Sequence, residues 1–169
     1  MKTIIYLYSY HHGNTKKVCD AIAPMLSAVV VELPKEGMVE SADLSGYDLI
    51  GFGAGIDSGK PYKQIRQLAE SLPACNGKKA FIFSTAGIYN EKKMLKDHKA
   101  LRDIILAKGF EIAGEFSCHG HDTVAFLKWF GGINKGRPNA EDLARAEAFA
   151  KGLLEKSKGD GYEKTNNQN

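Results

Sequence analysis

The chain has 169 residues, 43% apolar and 25% charged, the balance of one soluble globular domain large enough to bury a core. No apolar run approaches the roughly 20 residues a membrane span needs, and Met1-Lys2 leads straight into a strand without a secretory n-region, h-region and cleavage site. The net charge of +3 is mild and its positives are scattered rather than striped with aromatics, which argues against nucleic acid as the partner.

In chain order, Ile4 to Tyr8 is a β-branched and aromatic run that predicts a first strand, and Val18, Ile22, Met25 and Leu26 then share one face of a helix. Pro24 conflicts with a helix interior, so a kink there or an end near Ala23 is expected. Ala28 to Leu33 predicts a second strand stopped by Pro34, and Gly37 to Gly46 has room for one short helix near Ala42 to Ser45. Asp48 to Gly53 reads as a strand covered on both faces. The glycine-rich loop Ala54 to Lys60 follows, and Pro61 is placed to open a helix whose apolar face is Ile65, Leu68, Ala69 and Leu72. Lys79 to Ser84 predicts a fourth strand and Thr85 to Asn90 its loop; Lys92 to Lys108 predicts a helix burying Met94, His98, Leu101 and Ile105 before Gly109 ends it. Phe110 to Ser117 predicts the fifth strand. Asn139, with Asp142 three residues on, caps a last helix carrying Leu143, Ala146, Ala150 and Leu153. Five strands alternating with helices through short loops predict an α/β fold, a doubly wound five-stranded parallel sheet with helices on both faces. One domain over 1–156 is expected, followed by a polar, flexible tail over 157–169.

The loop between the first strand and its helix carries the chemistry. A strand that feeds a helix through a turn aims free backbone N–H groups and the positive end of the helix dipole outward, a seat for a phosphate dianion. Ser9, Tyr10, His11, His12, Gly13, Asn14 and Thr15 bring hydroxyls and imidazoles to it, without the Gly-x-Gly-x-x-Gly of a dinucleotide site or the Gly-Lys-Ser/Thr of a nucleoside triphosphate site. That favours a single terminal phosphate, although an ordinary strand-to-helix turn accounts for the loop by itself equally well. Residues 4–23 resemble the first signature of the flavodoxin family. Tyr8, Gly13, Thr15 and Ile22 match its aromatic, small, Thr and aliphatic positions, while Tyr10 stands where Ser or Thr is usual and Cys19 where Ala is usual. The chain resembles in particular a branch with a His-His-x-Asn-Thr loop, here His11 to Thr15, and the similarity runs from Lys2 to about Leu154. Cys118, Gly120, Asp122 and Thr123, and the stretch Gly131 to Asn139, match later runs of that branch.

The resemblance implies the strand order 2-1-3-4-5, for which the order reverses between strands 1 and 3. Ligands of open parallel sheets bind at that point, beyond the carboxyl ends of the strands. Ser9 to Thr15, Ala54 to Tyr62 and Thr85 to Asn90 converge there, all rich in glycine and hydroxyl residues. FMN suits them: phosphate donors from the first loop, and close backbone approach to the isoalloxazine from Ala54, Gly55, Ile56 and Gly59 and from Thr85, Ala86 and Gly87. Tyr89, with Ile56 or Tyr62 opposite, is expected to flank the ring. Lys60, Lys63, Lys92 and Lys93 outnumber Asp57 and Glu91 beside these loops, so positive surroundings for the ring are expected.

No metal site is expected. His11 and His12 are adjacent in a loop, a poor arrangement for sharing one ion, and read better as phosphate donors. Cys118-His119-Gly120-His121-Asp122 falls where strand alternation separates side chains, so a structural turn is expected rather than zinc, and His98 is expected in the core or an interface. Cys19, Cys75 and Cys118 are widely spaced with no Cys-x-x-Cys, as for reduced thiols in a cytoplasm. Phe126, Trp129 and Phe130, in the insertion Val124 to Pro138, suit packing on the sheet edge or a docking patch. The resemblance implies an electron carrier, its FMN cycling between oxidised, semiquinone and hydroquinone states. Its partners would be a reductase or ferredoxin-type donor and an oxidoreductase acceptor. Two alternatives stand beside it: an FMN-dependent NAD(P)H or quinone oxidoreductase of the same fold, and a non-redox phospho-ligand or partner-binding module.

Overall fold

Alternation decides which side of the sheet each strand residue serves. In β1 (Thr3–Tyr8), Ile4, Tyr6 and Tyr8 enter one apolar layer while Ile5 and Leu7 enter the other, so the strand is buried along its whole length. A computed structural model describes residues 1–36, 43–123 and 132–166. Beside β1 lie β2 (Val29–Glu32) and β3 (Leu49–Asp57), and a two-residue β4 (Lys60–Pro61) folds back antiparallel on β3. β5 (Lys79–Ala86) and β6 (Glu111–His119) complete the parallel sheet in the order β2-β1-β3-β5-β6. This is the expected doubly wound order, with β4 as an added hairpin.

Helices α1 (Asn14–Leu26) and α4 (Ala140–Asn166) cover one face; α2 (Lys63–Ser71) and α3 (Glu91–Ala107) cover the other. The glycines of β3 explain how the α1/α4 layer closes. A Cβ on Gly51 would collide with the ring of Phe81, and one on Gly53 with the ring of Phe83. The two rings, both fully buried, lie across β3 where that strand has no side chains. On the opposite face His98 is buried, as expected, but within a polar network. Ser84 Oγ is hydrogen-bonded to His98 Nε2 at 2.8 Å and to Ser117 Oγ at 2.9 Å, and His98 Nδ1 to Glu115 at 2.8 Å. Arg102 donates to both oxygens of Glu115 through Nε at 2.6 Å and Nη2 at 2.8 Å.

Several local readings are corrected. α1 continues past Pro24 and closes at Ser27, whose left-handed backbone lets the Ser27 and Ala28 N–H groups reach Pro24 O and Ala23 O. Proline in a last turn forfeits one hydrogen bond, which the helix tolerates. Pro61 opens no helix: it pairs with Ile56 across the β3–β4 hairpin, and α2 begins at Lys63. Near Ala42 to Ser45 the described residues turn instead, because Asp43 Oδ1 accepts from the Ser45 N–H at 2.8 Å and competes with a helix start; Ala42 lies outside the described residues. Phe126, Trp129 and Phe130 lie outside them too. Asn139 and Asp142 cap α4 reciprocally, at 3.0 and 3.1 Å, and the helix runs on to Asn166, through most of the stretch read as a tail.

Candidate functional site

The chain leaves β1 at Tyr8 and enters α1 through two left-handed residues, His12 (φ 53°) and Gly13 (φ 63°). Gly13 is the N-cap and has no side chain to satisfy the first turn. Ser9 Oγ accepts from the Lys16 N–H at 3.1 Å. Among the described residues, no backbone carbonyl accepts from the amides of His12, Gly13 and Thr15. These donors, at the positive end of the helix, sit beside a crevice of about 660 Å³ beyond the carboxyl ends of β1, β3, β5 and β6.

Tyr10, His11, Asn14, Thr15, Gly55, Ile56, Thr85, Ala86 and Gly87 line the crevice, so each of the three loops contributes to it. The other predicted residues do different work. Ser9 caps α1. His12 turns to Thr123, Nε2 to Oγ1 at 2.8 Å, and stacks on His121 at 4.5 Å. Gly13 supplies the left-handed cap, Ala54 is buried within β3, and Gly59 takes a left-handed turn (φ 75°) in the hairpin. Tyr89 leaves the crevice altogether. Its hydroxyl accepts from Arg145 Nη2 at 3.2 Å and its ring stands edge-on to His119 at 5.6 Å. Tyr62 lines the crevice in its stead, edge-on to Tyr8 at 5.3 Å. Burial, then the Asp57 carboxylate, pushes the Tyr62 hydroxyl up to about 12, so it stays protonated and able to donate.

A fourth wall was not anticipated. Gly120, His121 and Asp122, at the end of β6, line the crevice beside the first loop. A Cβ on Gly120 would stand 2.9 Å from Asn14 Nδ2, and one on Gly87 would stand 2.6 Å from Asp122 Oδ2. Glycine at both places lets this wall close on the neighbouring loops, and that was the signal available in the sequence. Asn14 Nδ2 donates to His121 O at 2.8 Å, which fixes the amide's orientation. Its Oδ1 is then left buried with no hydrogen-bond partner among the described residues. Thr15 Oγ1 and Thr85 Oγ1 are hydrogen-bonded at 2.9 Å.

Charge is distributed unevenly. Lys35 Nζ lies 5.0 Å over the Tyr10 ring at the first-loop end, with Glu36 beside it in the lining, while Asp57 and Asp122 line the crevice from the second loop and the fourth wall. The expected positive surroundings are thus corrected: Lys60, Lys63 and Lys92 stand outside the lining, and Lys93 is paired with Asp97. Among the described residues no three His, Cys, Asp or Glu side chains gather as a metal site. Burial pushes the Cys19 and Cys118 thiols up to about 12, which leaves them unreactive.

A model of the flavodoxin domain matches residues 5–151. The chain belongs to the flavodoxin family. An uncharacterized protein of Methanocaldococcus jannaschii is 46% identical over 154 residues, covering 91% of this chain and 99% of its own. A flavodoxin from the domain Archaea superposes with a TM-score of 0.63 at 18% identity, over 94% of this chain and 99% of that one. Oxidised Flavodoxin 2 from Bacillus cereus superposes with a TM-score of 0.66 at 20% identity, over 91% and 99%. Flavodoxins take a flavin cofactor, and the crevice stands at the switch point between β1 and β3 where the flavodoxin strand order reverses. No helix among the described residues is long and apolar enough to cross a membrane.

Proposed function

We propose that the chain binds one FMN in this crevice and carries electrons between protein partners, a reductase or ferredoxin-type donor and an oxidoreductase acceptor. The observation that supports it most is the meeting, at one end of the crevice, of the His12, Gly13 and Thr15 amides, which no backbone carbonyl among the described residues accepts, with the paired hydroxyls of Thr15 and Thr85. The amides suit a phosphate dianion. Thr15 and Thr85 share one hydrogen bond between two hydroxyls and so retain a proton for the crevice. Tyr10 and His11 add donors at the rim, and Lys35 adds positive charge at this end.

The Asp57 carboxylate, on the second-loop side of the crevice, disfavours a phosphate there, so one orientation of the ligand is better than its reverse: phosphate toward α1, ring toward the second and third loops. Gly55 and Gly87 let Tyr62 and Asp122 pack against the backbone that lines the crevice, and Tyr62 and Ile56 offer the ring apolar surface. FMN supplies one- and two-electron transfer when bound. The residues of the chain bind and orient it, and none is assigned as acid, base or nucleophile. Titration of the flavin-free chain with FMN tests this. A one-to-one yellow complex is expected, with riboflavin, which lacks the phosphate, bound about a hundredfold more weakly. No FMN binding, or equal binding of riboflavin, overturns the reading. Steady NADPH oxidation with a quinone and no separate reductase would make the protein an oxidoreductase instead of a carrier.

A further inference from the structure

Helix α3 has two apolar faces where the fold needs one. Its inner face buries His98, Leu101 and Ile105. On the outside Leu95 and Leu106 are 51% and 49% exposed, and Ile88, in the loop that leads into the helix, is 65% exposed. At about 100° per residue, Lys92, Leu95, Lys99 and Leu106 fall within one sector of roughly 60°. That sector starts at the functional crevice, since Gly87 lines the crevice and Ile88 follows it directly. Leu106 stands about 16 Å along the axis from Leu95, so the exposed apolar side chains at the crevice end are Ile88 and Leu95, set among polar ones as at an interaction surface.

The charge of the same face selects the partner. Lys92 and Lys96 are exposed and make no ion pair among the described residues, whereas Lys99 is tied to Asp103 and Lys93 to Asp97. Glu91 is the one acid of this stretch without such a pair. Positive charge is therefore in excess in the first two turns, next to the crevice. We infer that the outer face of the first turns of α3, with Ile88, docks an acidic redox protein whose contact surface has an apolar centre and a rim of carboxylates. This rests on the reading of the chain as a flavin electron carrier. A second copy of the chain suits the face less well, because it would set Lys92 and Lys96 against their own kind.

The experiment mixes the reduced, FMN-loaded protein in stopped flow with two acceptors of opposite surface charge, acidic plastocyanin and basic cytochrome c. Each event moves one electron from the flavoprotein to the acceptor's metal, reducing Cu(II) to Cu(I) or Fe(III) to Fe(II). Plastocyanin should react faster at low ionic strength and slow as salt is added. The double variant Lys92→Glu/Lys96→Glu should cut that rate about tenfold or more and reverse its salt dependence, while oxidation by neutral benzoquinone stays unchanged. Leu95→Ser should slow the reaction without altering the salt slope. NMR titration of the isotope-labelled, flavin-free chain with plastocyanin reads docking without any flavin. Shifts confined to residues 88–99 support the surface even if FMN fails to bind. A preference for cytochrome c, rates within twofold in the charge-reversed variant, or a dimer in sedimentation that Leu95→Ser dissociates would each overturn the inference.

Discussion

The two faces of the sheet solve the same packing problem with different chemistry. Beneath α1 and α4 the layer is built from Ile5, Leu7, Val18, Ile22, Phe81, Phe83 and their neighbours, and its fit depends on rings laid over glycine backbone at Gly51 and Gly53. Beneath α2 and α3 an apolar layer also forms, but its outer part, between α3, β5 and β6, is a network of Ser84, His98, Glu115 and Arg102. One face is specified by volume, the other in part by charge. Volume is insensitive to pH and intolerant of a methyl group; a buried ion network is the reverse.

Glu115 is where the comparison breaks most sharply. Burial alone would raise its carboxyl, yet hydrogen bonds from His98 and Arg102, with charge behind them, prevail and hold it at about 2. A carboxyl lowered on folding contributes its full stabilisation above the unfolded value of 4.5 and loses it as pH falls toward 2. Glu115→Ala leaves His98 and Arg102 facing an empty position and should destabilise the fold by about 3–5 kcal/mol at neutral pH. Urea unfolding at pH 7, 4 and about 2.5 checks both claims. The wild type should weaken across that acid window and the variant should show a flatter dependence. Equal slopes would mean that the network contributes no pH-dependent stability.

Gly53→Ala attacks the other face. Its new methyl group collides with the ring of fully buried Phe83. A loss of about 3 kcal/mol is expected, the upper end of the usual overpacking range. The loss should be the same at pH 7 and pH 4, and Phe83→Leu in the same chain should recover part of it, because the two sites share one clash. A pH-dependent loss would show that the layers are coupled and that their separation into two chemistries is wrong.

Much of this architecture is legible in the sequence because periodicity is local. Five β-branched runs, the stripes of the helices and the Asn139–Asp142 cap each declare themselves within a dozen residues, and the loops that follow the strands had to meet at the switch point. What is not legible depends on partners far along the chain. Asn14 meets His121 across 107 residues, and Arg145 draws Tyr89 away from the crevice across 56. Ser9 and Thr15 look alike as loop hydroxyls; the direction of the α1 axis makes one a cap and the other a lining residue. Pro61 carries the composition of a helix start, and the pairing with Ile56 that overrides it has no local mark. Glu115 reads as one more strand residue until Arg102 and His98 are seen to face it.

Thr15 sits where the apolar layer meets the crevice, and its bond to Thr85 joins α1 to β5 with polar chemistry. Thr15→Ala should weaken FMN binding by about 1.5–3 kcal/mol, roughly ten- to hundredfold, if its hydroxyl or that of Thr85 donates to the phosphate. Fluorescence titration of the flavin-free variant reads this directly. Unchanged affinity would assign the phosphate to the backbone amides alone.

The smallest effect concerns Asp57, on the hairpin that the polar face supports: Gly59 of that hairpin sits close to Asp97 of α3. Asp57 and Asp122 line the crevice, while Lys60 and Lys63 stand outside it, so the carboxylates are the nearer charges to a bound ring. A carboxylate ~8 Å from a reduced, anionic ring at an effective dielectric near 40 disfavours it by about 1 kcal/mol, or about 40 mV for a one-electron couple. Asp57 is exposed, and salt screens such a charge over about 8 Å at physiological ionic strength, so the effect in the cell is smaller. Asp57→Asn should therefore raise the second reduction potential of the bound flavin by at most about 40 mV at low salt. The shift should shrink as salt is added, and Lys60→Glu should move the potential less. A redox titration in which Lys60→Glu has the larger effect would show that the lysines outside the lining govern the ring after all. The distinction drawn here between lining charge and surrounding charge would then fail.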